Sequence, residues 1–167
     1  MTALYDEVIP QLDKMLGNLS GWLDAAKTWA EAREIDPESL LDTRLFPDMF
    51  PLRRQIQSAC DGAKLTAARL VATEAPKHED GPQSIAELQA RIAEVRSWIT
   101  AIDADAVVAD RILDLPFGPG MRAKLEDFAR EFSMPNFYFH LNMAYALLRS
   151  VGVPLGKRAY IGSITLQ

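Results

Sequence analysis

The chain has 167 residues, the size of one domain around a single sizeable core, with a formal net charge of -5 and a sequence pI near 5.0. That balance leaves no general excess of positive charge for phosphates, and the densest basic spots, Arg53 with Arg54 and Lys157 with Arg158, are only pairs, so no nucleic-acid partner is expected. No apolar run approaches the roughly 20 residues that span a bilayer. The opening MTALYDEVIPQLDK is acidic and interrupted by Pro10, and Cys60 has no second cysteine to pair with; no membrane partner and a cytoplasmic location are expected.

A first long helix is expected over 3–33, with Thr2 as N-cap and with Asp6 and Glu7 in the opening turn, where negative charge suits the helix dipole. Tyr5, Val8, Leu12, Met15, Leu16, Leu19, Trp22, Leu23, Ala26 and Ala30 recur at helical spacing and form its inward stripe. Pro10 should bend the first turns. Gly17 and Gly21 lie four apart on the outer face; they either admit a close neighbour or weaken the helix by about 1 kcal/mol each relative to alanine.

Asp36 and Pro37 read as the N-cap and first residue of a turn or two through Leu41. A second helix is expected over 51–73, with Leu52, Ile56, Ala59, Cys60, Ala63, Ala67 and Leu70 inward and with Asp61 and Lys64 as a pair toward solvent. Residues 74–83, EAPKHEDGPQ, read as a polar loop whose His78 sits in a solvated turn. Ser84 and Glu87 form a capping box for a third helix over 85–103, which buries Ile85, Leu88, Ile92, Val95, Ile99 and Ile102.

Residues 104–134 remain open between a short strand with a turn, in ADRILDLPFGPGM, and an amphipathic helix, in RAKLEDFAREF. A fourth long helix follows over 136–151, entered at Pro135 and ended by Gly152 and Pro154, before a tail that packs through Leu155, Tyr160 and Ile161. Four long amphipathic helices joined by three connections predict an all-α, four-helix bundle filling one domain, 1–167, with a long irregular connection before the last helix.

The fourth helix carries the most informative stretch, NFYFHLNMAYALLR. At about 100° per residue, His140 falls at the centre of a face with Phe137, Met143, Ala144, Leu147 and Val151, with Asn136 beside it and Tyr138, Asn142, Tyr145 and Arg149 opposite. An imidazole in an apolar stripe needs a hydrogen-bond partner or a ligand, because burying its charge unpaired is costly. His140, Asn136, Cys60 and Tyr138 are therefore the candidate pocket residues, with Asn136 and Tyr138 as polar neighbours near its mouth.

The segments MLGNLSGWLDAAK, FPLRRQIQSACDGAK and PNFYFHLNMAYALLRSVGVPLGKR resemble, in register over 15–158, an uncharacterised bacterial family in the DinB/YfiT-like four-helix-bundle superfamily. The resemblance implies a DinB-like bundle, often a homodimer, whose better-known relatives hold a divalent metal with three histidines and include thiol-dependent transferases. It implies fold more securely than chemistry.

The metal does not carry over residue by residue. His140 matches the first of a histidine pair spaced four apart, but its companion position is Ala144, and the second helix offers Ala59, Cys60 and Ala63 instead of an imidazole. One ligand makes no zinc or nickel site, so no metal and no cofactor are expected. Cys60, mid-helix on the apolar side, is read as packing, since burial raises a thiol pKa. GVPLGKR imitates a phosphate loop, but Arg158 stands where Ser or Thr would hold magnesium and a helix precedes it. Trp22, Trp29 and Trp98 are read as packing. Two functions remain in view: a non-catalytic or small-ligand-binding bundle, its outer face of Tyr138, Asn142, Tyr145 and Arg149 available to a second copy, and a divergent transferase or hydrolase working around His140.

Overall fold

The computed structural model describes residues 3–115 and 117–164; Thr2, the expected N-cap, lies outside them. Four long helices form the bundle: α1 (Ala3–Glu31), α2 (Leu52–Val71), α3 (Ile85–Thr100) and α5 (Met134–Ser150), with a short α4 (Leu125–Phe128) and a closing α6 (Lys157–Ile161). α2 packs on α5 and α3, and α1 packs on α3 and α5, so the chain closes a ring around one apolar interior. Every residue of the expected α1 stripe is in that interior or packed against it, joined by Leu4 and Ile9.

Helix ends follow side-chain chemistry. Ser84 accepts from the Glu87 N–H at 3.2 Å while Glu87 accepts from the Ser84 N–H at 2.7 Å, the expected capping box. Glu38, from the short 3-10 helix Pro37–Asp42, adds a carboxylate that accepts from the Ile85 N–H at 3.1 Å. α3 stops at Thr100, before the expected 103, because the Asp103 carboxylate accepts from the Asp105 N–H at 2.9 Å and caps a new turn, Ala104–Ala106.

Both readings of 104–134 are present in succession. A two-stranded antiparallel hairpin, β1 (Ile112–Asp114) with β2 (Arg122–Lys124), pairs Leu113 with Ala123, and helical winding then begins at Leu125, well before the expected 136. It passes through one wide π turn, Ala129–Ser133, into α5. Proline lacks the N–H that an ordinary α turn would use, and the wide turn falls immediately before Pro135, where that bond would be lost.

The tail docks on α1. The Trp22 indole N–H donates to the Ala159 carbonyl at 2.9 Å, the Asn18 amide donates to the Tyr160 carbonyl at 2.8 Å, and the Trp22 and Tyr160 rings stack with centroids 5.5 Å apart. Leu155 and Tyr160 pack as expected, whereas Ile161 is exposed. This tail corrects the outer face assigned to the last helix. Tyr145 meets Trp22 and Tyr160 and donates to the Leu155 carbonyl at 3.1 Å, and Tyr138 is half-buried, so the two tyrosines of that face are partly covered by the chain itself while Asn142 and Arg149 stay exposed. Among the described residues no helix is long and apolar enough to cross a membrane.

Candidate functional site

α2 presents two faces. Ile56, Ala59, Cys60, Ala63 and Ala67 point into the core with no exposed surface, while Arg54, Ser58 and Asp61 face outward toward α5. Between them and Ser133, Asn136 and His140 of the last helical stretch lies a cleft of about 300 Å³. The buried face of α5 is Phe137, Leu141, Ala144, Leu147 and Leu148, so it is rotated toward Leu141 relative to the wheel. His140 therefore sits on the flank, half-buried, with Asn136 one turn before it on the same wall.

The His140 Nδ1 and the Gln55 Oε1 are 2.8 Å apart. Gln55 is itself buried and spends its amide N–H₂ on the Phe50 carbonyl at 3.4 Å, which leaves Oε1 to accept, so Nδ1 carries the imidazole proton. The other nitrogen, Nε2, has no protein partner among the described residues and is not sealed from solvent. Burial, and then the Arg54 charge, lower the His140 pKa below the ordinary 6.5, with Asp61 working the other way. The cleft thus holds a neutral imidazole with a lone pair available, facing an arginine and several side-chain hydroxyl and amide groups.

Of the four candidate residues, His140 and Asn136 share this wall and the other two do not. Cys60 is fully buried beside Asp61, because adjacent helical residues point about 100° apart. Its thiol is pushed up to about 12 by burial, too high to supply a thiolate at neutral pH. Tyr138, two residues from both His140 and Asn136, turns toward α1, where its hydroxyl donates to the Gln11 Oε1 at 3.4 Å.

Behind the cleft lies a charged network that sequence reasoning missed. Asp61 accepts from Arg91 Nη2 at 2.7 Å and from Lys64 Nζ at 2.9 Å, and Arg91 also reaches Asp80 at 3.1 Å. Arg54 pairs with Asp80 in turn. Burial works to raise the Asp80 carboxyl, but hydrogen bonds and charge from Arg54 and Arg91 hold it below the ordinary carboxylate range. Asp61 and Lys64 are thus no solvent pair: the Arg91 side chain is 1% exposed and that of Lys64 is 6%.

His78 is likewise drawn in from its expected solvated turn. Its Nδ1 lies 2.8 Å from Lys64 Nζ, and since an ammonium only donates, the His78 proton sits on Nε2, which is 3.2 Å from Glu94. Gln57 donates to the Gly81 carbonyl at 3.0 Å, fastening the same loop to α2. The sequence signal was Arg91 itself, a cation standing three residues after Leu88 and four before Val95, on the stripe that buries both.

Among the described residues no group of three or more His, Cys, Asp or Glu side chains is placed to hold a metal ion, and Ala144 occupies the second ligand position as a fully buried core residue. The family model described as a domain of unknown function, DUF1993, matches residues 4–161. The chain belongs to that family. A solved structure titled as a DinB family member protein from Shewanella denitrificans is similar to this DUF1993 chain at 39% identity and a TM-score of 0.92, covering 98% of this chain and 94% of the other. The helical bundle and the DinB-like membership implied by the resemblance are thereby shown. No curated protein matches the DUF1993 chain.

Proposed function

We propose that this DUF1993 chain is a small-ligand-binding bundle protein that works without a metal and takes a small polar molecule in the cleft between α2 and α5. The observation that carries the reading is His140: Gln55 holds one imidazole nitrogen, and the other is left free in a solvent-reached cleft beside Arg54 and Asn136. A molecule with a hydroxyl or amide N–H to donate to Nε2 and an oxygen to accept from Arg54 or Asn136 matches that chemistry. Glycolate and glycolamide are suitable probes. Each should give a saturable shift of the Asn136 side-chain amide resonance that disappears in His140→Ala. No shift at millimolar probe, or a stoichiometric metal in untagged protein that vanishes in the same variant, would overturn the reading.

The free Nε2 lone pair also favours a second reading, a transferase or hydrolase with His140 as general base. Ser58 and Ser133 lie in the same cleft, and Cys60 is excluded as nucleophile by its burial. Turnover of p-nitrophenyl esters that His140→Gln abolishes would favour this alternative; its absence leaves binding as the role.

A further inference from the structure

α2 carries a ridge, Asp61, Leu65 and Arg69, and on the side away from His140 lies a larger groove of about 1120 Å³. Its walls are the last turns of α2, residues 73–79 of the following chain, and Arg111 and Leu113 at the hairpin. Leu65, Ala68, Ala72, Pro76 and Leu113 make much of it apolar, and Leu65 is 42% exposed although it stands outside the core.

Two arginines border this apolar surface, and neither has a carboxylate partner among the described residues. The Arg69 guanidinium lies over the buried Phe128 ring, 5.3 Å from its centre, a contact that occupies none of its N–H groups with an acceptor oxygen. Arg111 is half-buried and donates to the Arg69 carbonyl, which ties the two residues together. Burial lowers the Arg69 pKa with no carboxylate to offset it, although an arginine remains protonated at neutral pH. The other charges at the groove do not answer them. Asp61 is committed to Lys64 and Arg91, and Lys64 and His78 bind each other. Glu74, Lys77 and Glu79 stand exposed on the rim. In a chain with net charge -5, two half-buried guanidinium groups without a carboxylate are an unfilled demand for an anion.

We propose that this groove binds an amphipathic monoanion, a carboxylic acid on an apolar body, with the carboxylate on Arg69 and Arg111 and the body along Leu65, Ala68, Ala72 and Leu113. The site goes beyond the His140 cleft; Arg69 lines both, so Arg111 and Leu113, which line the larger groove and not the cleft, separate the two. The two grooves share the ridge Asp61, Leu65 and Arg69 and otherwise have different walls.

Octanoate tests the proposal in the full chain, read by methyl NMR. It should shift the Leu65 and Leu113 methyl resonances saturably, and octanol, with the same body and no charge, should bind about tenfold or more weakly. Arg69→Met should weaken octanoate by about tenfold or more. Arg111→Met, outside the bundle core, should do likewise and carries the test if Arg69→Met does not fold. Equal affinity for octanol, inorganic phosphate binding as tightly as octanoate, or affinity unchanged in a folded arginine variant overturns the proposal. His140→Ala should leave octanoate binding intact; binding lost there and retained in both arginine variants would move the acid to the other cleft.

Discussion

The imidazole Nδ1 of His140 and the Oε1 of Gln55, 85 residues apart in the chain, meet at 2.8 Å, and that contact decides which histidine nitrogen is left for a ligand. The tautomer is set by a residue on a different helix, whose own amide is oriented by the Phe50 carbonyl. Gln55→Leu should therefore leave the fold intact while mixing the two His140 tautomers. Imidazole ¹⁵N shifts should report a single Nδ1–H form in the native chain and an averaged one in the variant.

Burial and Arg54 depress the His140 pKa in the folded chain below the 6.5 of a free imidazole. The unfolded chain then takes up a proton first as the medium is acidified, so this residue's contribution is complete above 6.5 and is lost as pH falls from there toward the folded value. Urea midpoints at about pH 7.5 and about pH 5.5 should drop further for the native chain than for His140→Gln. An equal drop would show that His140 is not the group responsible.

Arg91 is the buried centre of a network that binds α2, α3 and the loop between them, reaching Asp61, Asp80, Gln83 Oε1 at 3.2 Å and the Glu79 carbonyl at 3.2 Å. Arg91→Ala would leave Asp61 with Lys64 and Asp80 with Arg54, so what it removes is the set of hydrogen bonds from a buried cation and the packing of its stem. Arg91→Ala should cost about 1–3 kcal/mol in denaturant unfolding, while Arg130→Ala, whose pairs with Glu7 and Glu126 lie at the surface, should leave the unfolding midpoint nearly unchanged.

The two glycines of α1 differ in what they do. A Cβ at Gly17 would lie 3.1 Å from the Arg96 Cζ, where the guanidinium holds Asp13 at 2.7 Å, whereas a Cβ at Gly21 would meet nothing within 4 Å. Gly21→Ala should stabilise the chain by about 0.5–1 kcal/mol through helix propensity alone. Gly17→Ala should gain less, because Arg96 must shift; thermal unfolding of the two variants side by side measures the difference.

With its thiol buried and pushed up to about 12, Cys60 should resist iodoacetamide at pH near 8 in the native chain and react fully once denatured. Rapid native alkylation would mean that the core opens at α2 far more readily than its packing implies.

Periodicity located every long helix, because inward residues such as Leu12, Leu16, Leu19 and Leu23 recur wherever a 3.6-residue turn returns to the same side. At the last helix it places Pro135 at the entrance, and the structure has that proline in the first turn of α5, but spacing gives no sign of the winding that leads in from Leu125 through the wide turn. In the candidate cleft, His140 and Asn136 were legible as polar residues beside an apolar stripe. Cys60 and Tyr138, named with them for the pocket, lie off that wall, Cys60 in the core as its apolar stripe implies and Tyr138 against α1 on the side of the wheel opposite His140.

What the sequence determined by itself was local: the helix stripes, the Ser84–Glu87 cap, the stop at Gly152 and the absence of a companion imidazole at Ala144. These depend on residues within a turn or two of one another, and one-dimensional spacing records them. Tertiary structure alone decided that Asp61, Arg91 and Asp80 share a buried network, that Gln55 orients His140, and that Arg69 and Arg111 face one groove with no carboxylate paired to either among the described residues. Those relationships join distant parts of the chain, and they form only when the packing of four helices sets the distance and dielectric between groups that no sequence pattern places side by side.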